Sequence, residues 1–348
     1  MHADFARLAQ DWGIHFNGAQ DYLPPEFRHN FALAMDAQPA LVTQSNSAIP
    51  AYLTQWVDPN IIKILVAPMK AAQIMGEVKK GDWLTDTAMF PVVERTGEAS
   101  SYGDFNNNGH VGSNVNWPQR QSYYYQTVTQ WGERELERMG LARINWVAQL
   151  NEASVLVLNK FQNKTYFFGV EGLQNYGILN DPGLSAPIQP GPKAFGLQAH
   201  GPWITSGVVT ATANEIFTDI QSLFSLLVAQ SQGLVQMDSR MKLCMSPGSE
   251  VALTATNSFN VNVADLLKKN FPNITIETAV EYATSAGNVV QLIVDSVEGQ
   301  ETGYVAFNEK LRAHPIVVDM SAFKQKKSQG TWGAIILQPF GVAQMLGV

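Results

Sequence analysis

At 348 residues, with 45% hydrophobic and only 15% charged residues, the chain can bury a large core yet carries few charges to hold neighbours apart; soluble domains usually carry roughly 25% charged residues. A net charge of −7, with no basic cluster beyond Lys324, Lys326 and Lys327, argues against a protein that grips nucleic acid through its phosphates. A single cysteine, Cys244, excludes an internal disulfide framework; the absence of a signal-like N-terminus and of any apolar run of about 18 residues leads us to expect a chain made in the cytoplasm, with no membrane partner.

Residues 1–57 are irregular, with Pro24-Pro25, Gln38-Pro39 and Gln44-Ser45-Asn46-Ser47, and read as an arm that gains order by lying against something else. Asp58-Pro59 supplies a cap and a proline at the first helical position, predicting a short helix through about Leu65.

Between Gly81 and Trp131 the composition becomes extended. Thr85–Arg95 and Ser122–Trp131 are rich in Tyr, Val, Thr and Phe and predict two strands. The polar stretch between them, from Ser100 to Gly109, predicts a flexible tip, so residues 81–131 read as a protruding hairpin. An isolated two-stranded ribbon is marginal in water, and this one is expected to rest on a neighbouring chain or join a larger sheet of its own domain. Its aromatic residues Tyr102, Phe105, Trp117, Tyr123 and Tyr125 are the candidates for contact between chains. Tyr123-Tyr124-Tyr125 could stack nucleic-acid bases, but no basic residues surround them, and strand packing or a subunit contact explains them better.

A long helix is predicted from Glu133 to Lys164, about 48 Å at ~1.5 Å per residue. Leu136, Met139, Ile144, Val147, Leu150, Val157, Leu158 and Phe161 fall on one stripe, with Arg134, Arg138, Asn145, Gln149, Glu152, Asn159 and Asn163 opposite. Beyond Gly169 helices and strands alternate. Thr212-Ala213-Asn214-Glu215 is a capping box opening a helix that ends near Gly233; Ser246-Pro247 starts a short helix; Asn262 with Asp265 caps a third that stops before Pro272. Strands are predicted over Ile274–Tyr282, Val289–Asp295, Tyr304–Phe307, Ile316–Met320 and Trp332–Gln338.

Motifs for chemistry are missing. His2, His15, His29, His110, His200 and His314 are scattered without metal-ligand spacing. No phosphate loop, dinucleotide fingerprint or nucleophile elbow occurs. Ser246 is better read as a helix cap than as a nucleophile, and Cys244 as a small buried hydrophobe. Asp82 with Asp86, and Glu133 with Glu137, read as a strand pair and a first-turn helix pair, not as acid–base machinery. The expectation is a protein with no cofactor and no catalytic role.

The order of arm, extended hairpin, long helix, α/β unit and returning strands resembles the subunit of tailed-phage capsids, the HK97-type fold. Val78-Lys79-Lys80-Gly81-Asp82-Trp83, Gly97-Glu98, Ser101-Tyr102-Gly103, Arg120-Gln121-Ser122-Tyr123 and Gly132-Glu133-Arg134-Glu135-Leu136-Glu137 are similar to the encapsulin-like group of phage major capsid proteins. So are Phe168-Gly169, Gly172-Leu173-Gln174-Asn175-Tyr176-Gly177, Ala313-His314-Pro315 and Gly330-Thr331-Trp332-Gly333-Ala334.

The resemblance implies an α+β fold with an N-terminal arm (1–57), an extended β-hairpin loop (81–131), a peripheral domain with a long spine helix (58–80, 132–169 and 309–348) and an α/β axial domain (170–308). It further implies hexamers and pentamers of the chain closing an icosahedral head shell around the DNA of a tailed phage, without sequence-specific DNA binding, and location in the virion. Portal, scaffolding or decoration proteins are the further partners it suggests. An encapsulin-type compartment and a tail-tube subunit are the alternatives. No lysine lies between Asp82 and Trp131, so the isopeptide crosslinks of some relatives are not expected. The start so close to the arm predicts no fused scaffolding segment.

Overall fold

The computed structural model describes residues 68–141, 144–194 and 200–348. The chain divides into two units. One, residues 1–63 with 141–144, lies almost wholly outside the described residues, and the predicted arm and the helix expected after Asp58 lie wholly outside them; the other comprises residues 64–140 and 145–348.

In chain order this second unit runs through helix α1 (Ala71–Met75), strands β1 (Glu77–Lys79), β2 (Thr87–Met89), β3 (Val92–Gly97), β4 (Val111–Asn116), β5 (Gln119–Gln121) and β6 (Tyr123–Gly132), and helices α2 (Glu133–Leu141) and α3 (Trp146–Phe168). Helix α4 (Ala213–Gln230), strand β7 (Met241–Met245), helix α5 (Val263–Asn270) and strands β8 (Ile274–Thr278) and β9 (Gly287–Val294) form the α/β part. Strands β10 (Gly303–Ala313), β11 (Val317–Asp319), β12 (Ala322–Ile336) and β13 (Val342–Leu346) follow.

The first sheet is built on β12. Its N-terminal half pairs antiparallel with β6, from Ala322 opposite Gly132 to Thr331 opposite Tyr123, and its other edge pairs with β11 and then β10, which is parallel to β1. Between Ala306↔Gly333 and Phe307↔Thr331 strand β12 carries one extra residue, Trp332. Such a bulge re-aims a side chain; here the indole is fully buried and donates to the Lys80 carbonyl at 2.9 Å.

The second sheet has the order β8-β7-β9-β13. Strand β7 is apolar except for Lys242, because both its faces are covered; Lys242 Nζ donates to the Ile74 carbonyl at 2.8 Å and meets Asp295 at 3.3 Å. Leu243 points into the cluster beneath α4 and α5, with Leu223, Leu227, Leu267 and Leu292, while Cys244 points the other way. On that opposite side Ile74 of α1, Phe167 of α3, and Val305 and Ala334 of the first sheet meet Tyr282 and Ile293, so the two sheets share a core. The predicted caps hold: Thr212 and Glu215 form the reciprocal capping box of α4, Asn262 accepts from Asp265 N, and Ser246 accepts from Ser249 N.

Four expectations are corrected. The long helix is not continuous from Glu133: residue 145 is non-helical, and the Asn145 side chain accepts from Ala148 N at 3.2 Å, capping α3 as a new helix that runs on to Phe168. The buried face of α3 is not the predicted apolar stripe. Leu158 is buried, but Val157 and Phe161 are exposed, and Ser154, Gln162, Asn163, Thr165, Tyr166 and Phe167 face inward. The reason lies in β12, which offers α3 polar partners. Lys327 Nζ donates to Asn151 Oδ1 and Ser154 Oγ, each at 2.6 Å; Gln329 Nε2 donates to Asn159 Oδ1 at 3.0 Å; and Thr165 Oγ1 donates to Thr331 Oγ1 at 3.2 Å. Burying such groups is tolerable because each finds a partner.

Third, the expected boundary between residues 308 and 309 falls inside β10, and Val342–Leu346 pairs with β9 in the second sheet, not the first. Fourth, Asp82 and Asp86 lie outside any strand; Asp82 opens a turn closed by Thr85.

Candidate assembly surfaces

The ribbon is formed by residues 87–121, and its register differs from the predicted one. Thr87–Met89 pairs with Gln119–Gln121, and Val92–Gly97 pairs with Val111–Asn116. The stretch 111–116, to which the sequence reading gives no element, is therefore the return strand. Ser122–Trp131, read as the return strand, belongs to the first sheet instead. Two residues per strand separate the paired segments, so Phe90 faces Pro118 and Pro91 faces Trp117 without a bulge. Pro118 has no N–H to return the bond that Phe90 N gives its carbonyl at 3.1 Å, and the ladder is interrupted there.

Alternation divides the ribbon into two faces. One carries Met89, Pro91, Val93, Val111, Val115 and Trp117, all exposed. The other carries Ala88 and Phe90, which pack at the base against the cluster of Tyr304, Ala306, Trp332 and Ile335. The base is fastened further by Arg120, whose guanidinium meets Asp181 at 2.9 Å and lies over the Tyr176 ring at 4.8 Å. Gln121 and Gln174 exchange hydrogen bonds at 3.0 and 3.2 Å, and Ser122 N donates to the Asp86 carbonyl at 2.8 Å.

The tip is organised and not merely polar. Ser100 Oγ donates to the Asn108 carbonyl at 2.7 Å, Asn106 Nδ2 to the Ser101 carbonyl at 2.9 Å, and Tyr102 OH to Asp104 Oδ1 at 2.8 Å. This frame projects Tyr102 and Phe105 into solvent, 93% and 104% exposed, while Trp117 is 57% exposed further down the apolar face.

Tyr123 and Tyr125 are placed elsewhere. They stack on one another and pack at a tilt against Phe161 of α3, and Tyr125 OH donates to Gln329 Oε1 at 2.7 Å. Burial pushes the Tyr125 phenol above its usual range, with Glu77 adding to the shift. Both rings are half-buried against α3 and β12 of their own subunit, apart from the exposed side chains of the ribbon. The structure thus brings Tyr102 and Phe105 together at the tip and separates them from the tyrosine pair. Sequence reasoning missed Met89, Val93, Val111 and Val115; the signal was the alternation Met89-x-Pro91-x-Val93 facing Val115-x-Trp117, visible only once those strands are paired.

Among the described residues no group of three or more His, Cys, Asp or Glu side chains could hold a metal ion, and no helix is long and apolar enough to cross a membrane. Cys244 is fully buried and its thiol is pushed up to about 12 by that burial, so it is no thiolate at neutral pH.

The fold is that of solved phage capsid chains. The capsid of Myoviridae phage XM1 is similar at a TM-score of 0.67 and 16% identity, over 86% of this chain and 99% of that one. Microbacterium phage Oxtober96 gives a TM-score of 0.58 at 10% identity over 86% and 97% of the two chains, and the capsid of the native GTA particle 0.57 at 11% over 88% and 99%. No curated protein sequence matches the chain. A model of the major capsid protein family typified by Pa193 gp26 matches residues 40–347, nearly the whole sequence and every surface described above. With its HK97-type architecture and that match, the chain belongs to the Pa193 gp26 major capsid protein family, the shell-forming proteins of phage heads.

Proposed function

We propose that within the head shell the ribbon of one copy lies with its apolar face on a neighbouring copy, and that this overlap is a principal bond of the assembly. The observation that carries the reading is the division of the ribbon. Its polar-edged face is anchored to its own body through Ala88, Phe90 and Arg120, whereas Met89, Val93, Val111, Val115 and Trp117 are left in water. Fully burying a Val or Met side chain is worth about 1.5–3 kcal/mol, and a thin ribbon cannot supply that cover from its own chain.

Around this contact we assign residues 1–57 to an arm reaching adjacent copies, the sheet built on β12 with α3 to the peripheral part, and the sheet built on β7 with α4 and α5 to the axial part. The axial parts meet in hexamers and pentamers. The shell surrounds packaged DNA without reading its sequence, consistent with the net charge of −7. The role is structural and not catalytic, the protein resides in the virion after synthesis in the bacterial cytoplasm, and portal, scaffolding or decoration proteins are its further partners.

The test is a ribbon variant, Val93→Thr with Trp117→Ser. Circular dichroism and subunit melting should match the parent, while particle yield by electron microscopy and sedimentation should fall about tenfold or more, the loss of one or two interface anchors. Parent-like particle yield would remove the ribbon from the assembly mechanism.

A further inference from the structure

The tip of the ribbon holds Asn106-Asn107-Asn108-Gly109, and its three asparagines are not equivalent. The Asn106 carboxamide is tied at both ends: Nδ2 donates to the Ser101 carbonyl at 2.9 Å, and Oδ1 accepts from Asn108 N at 3.3 Å. Asn107 precedes a residue with a side chain. Asn108 is exposed, its carboxamide makes no hydrogen bond among the described residues, and glycine follows it. An asparagine carboxamide can be attacked by the backbone nitrogen of the next residue. Glycine at that next position removes the Cβ that would obstruct closure of the five-membered ring.

The surroundings of Gly109 favour the attack. Its φ is +99, and its N–H gives no hydrogen bond among the described residues, so no bond has to be broken before the nitrogen is used. A Cβ built at Gly109 would lie 3.2 Å from Ser100 Oγ, which places that hydroxyl against the Asn108–Gly109 peptide. The hydroxyl donates to the Asn108 carbonyl at 2.7 Å. The attacking species is this peptide with its N–H proton removed, and its negative charge is shared with the carbonyl oxygen. A hydrogen bond to an ionised acceptor is roughly twice as strong as one to a neutral acceptor. Ser100 therefore stabilises the reactive anion more than the resting peptide.

We propose that Asn108 is a self-modifying site, converted in the folded chain through a cyclic imide, with Ser100 as the positioning residue that assists it. Gly109 N gives its proton to hydroxide and bonds to Asn108 Cγ. The Cγ–Nδ2 bond breaks, and the amide nitrogen takes a proton from water and leaves as ammonia, which restores the hydroxide. Water then opens the imide. Opening at Cγ yields aspartate; opening at the Asn108 carbonyl carbon yields isoaspartate, whose main chain runs through Cγ and whose free carboxylate is the group that Ser100 held. Either product adds a negative charge to a tip that already carries Glu98 and Asp104. The site lies within one chain and requires no neighbouring copy, so it is independent of the shell reading.

The full chain, kept dilute and unassembled at mildly alkaline pH, is followed by peptide mapping. The peptide holding Asn108 should gain about 1 Da and become a substrate for isoaspartate methylation, while Asn106 and Asn107 stay unchanged. The urea-denatured chain supplies the reference rate, with Asn17-Gly18, the other Asn-Gly pair, as internal standard. Ser100→Ala should slow conversion at Asn108 about tenfold in the folded chain, the worth of a hydrogen bond to a charged group, and leave the denatured rate unchanged. Ser100→Thr keeps the hydroxyl and should restore the parent rate. Asn108→Gln, which would have to close a six-membered ring, should abolish the modification. Conversion no faster in the folded chain than in the denatured one, or equal conversion at Asn106, would overturn the site. A folded Ser100→Ala chain that reacts at the parent rate, or a Ser100→Thr chain as slow as Ser100→Ala, would overturn the part given to Ser100.

Discussion

Gly333 shows how tightly the junction between strand and loop is drawn. Its φ is +73, and a Cβ built there would lie 2.3 Å from the Tyr176 carbonyl oxygen and 2.5 Å from Asn175 Oδ1. Gly333→Ala therefore meets both strain and overlap and should cost about 3 kcal/mol, read as a lower urea midpoint. Leu158 is 1% exposed where α3 crosses the sheet; Leu158→Ala should cost about 2–5 kcal/mol, whereas Val157→Asp, one residue along and in solvent, should leave the subunit melt nearly unchanged. Glu281 carries a pH signature. Burial raises its carboxyl above the ordinary 4.5, against its own backbone N–H, the Asn163 amide and the charge of Lys160. A raised carboxyl contributes stability below the unfolded value, and that contribution is lost as pH climbs through the folded value. Glu281→Gln should therefore gain in melting temperature relative to the parent as pH rises above 4.5, and a constant difference across pH would contradict the assignment.

At the level of elements, the base of the ribbon is the part most open to test. The Arg120–Asp181 pair is largely buried, and removing one partner of such a pair costs about 3–5 kcal/mol because the other charge is left stranded. Asp181→Asn should accelerate hydrogen exchange in β5 and β2 while α4 and α5 keep their protection. Elements whose causes are local were legible in the sequence: the capping box at Thr212 and Glu215 and the Ser246 and Asn262 caps, as was the burial of Cys244. Elements whose causes lie far along the chain were not. Strand β6 pairs with residues some 200 positions away, so nothing near Tyr123 distinguishes it from the return arm of a hairpin. Helix α3 misled for a related reason. Counting apolar residues finds a stripe, but Lys327, Gln329 and Thr331 of β12 make the inward face polar, and the true break was carried by one side chain, Asn145. The ribbon was expected as an object; its pairing, its two prolines and its apolar face needed the register.

Across the whole molecule, low charge content, a two-faced ribbon and an apolar hairpin tip at residues 316–320 leave several hydrophobic surfaces of the lone subunit in solvent. The fold was legible from the order of its elements and from short stretches such as Gly330-Thr331-Trp332-Gly333, which the structure explains as a bulge and a close crossing. Of the candidate contact residues, Tyr102, Phe105 and Trp117 stand in solvent on the ribbon, while Tyr123 and Tyr125 pack against Phe161; the sequence could not separate the two groups because β6 finds its partner β12 far along the chain. Shell stability should accordingly depend on protein concentration, as for any assembly in which folded surfaces are covered only by partners. The most direct measurement is a cryo-electron-microscopy reconstruction of particles assembled from the full chain. The account predicts closed shells in which Val93, Val115 and Trp117 are covered by an adjacent copy; shells in which that face still looks into solvent, or tubes in place of shells, would contradict it.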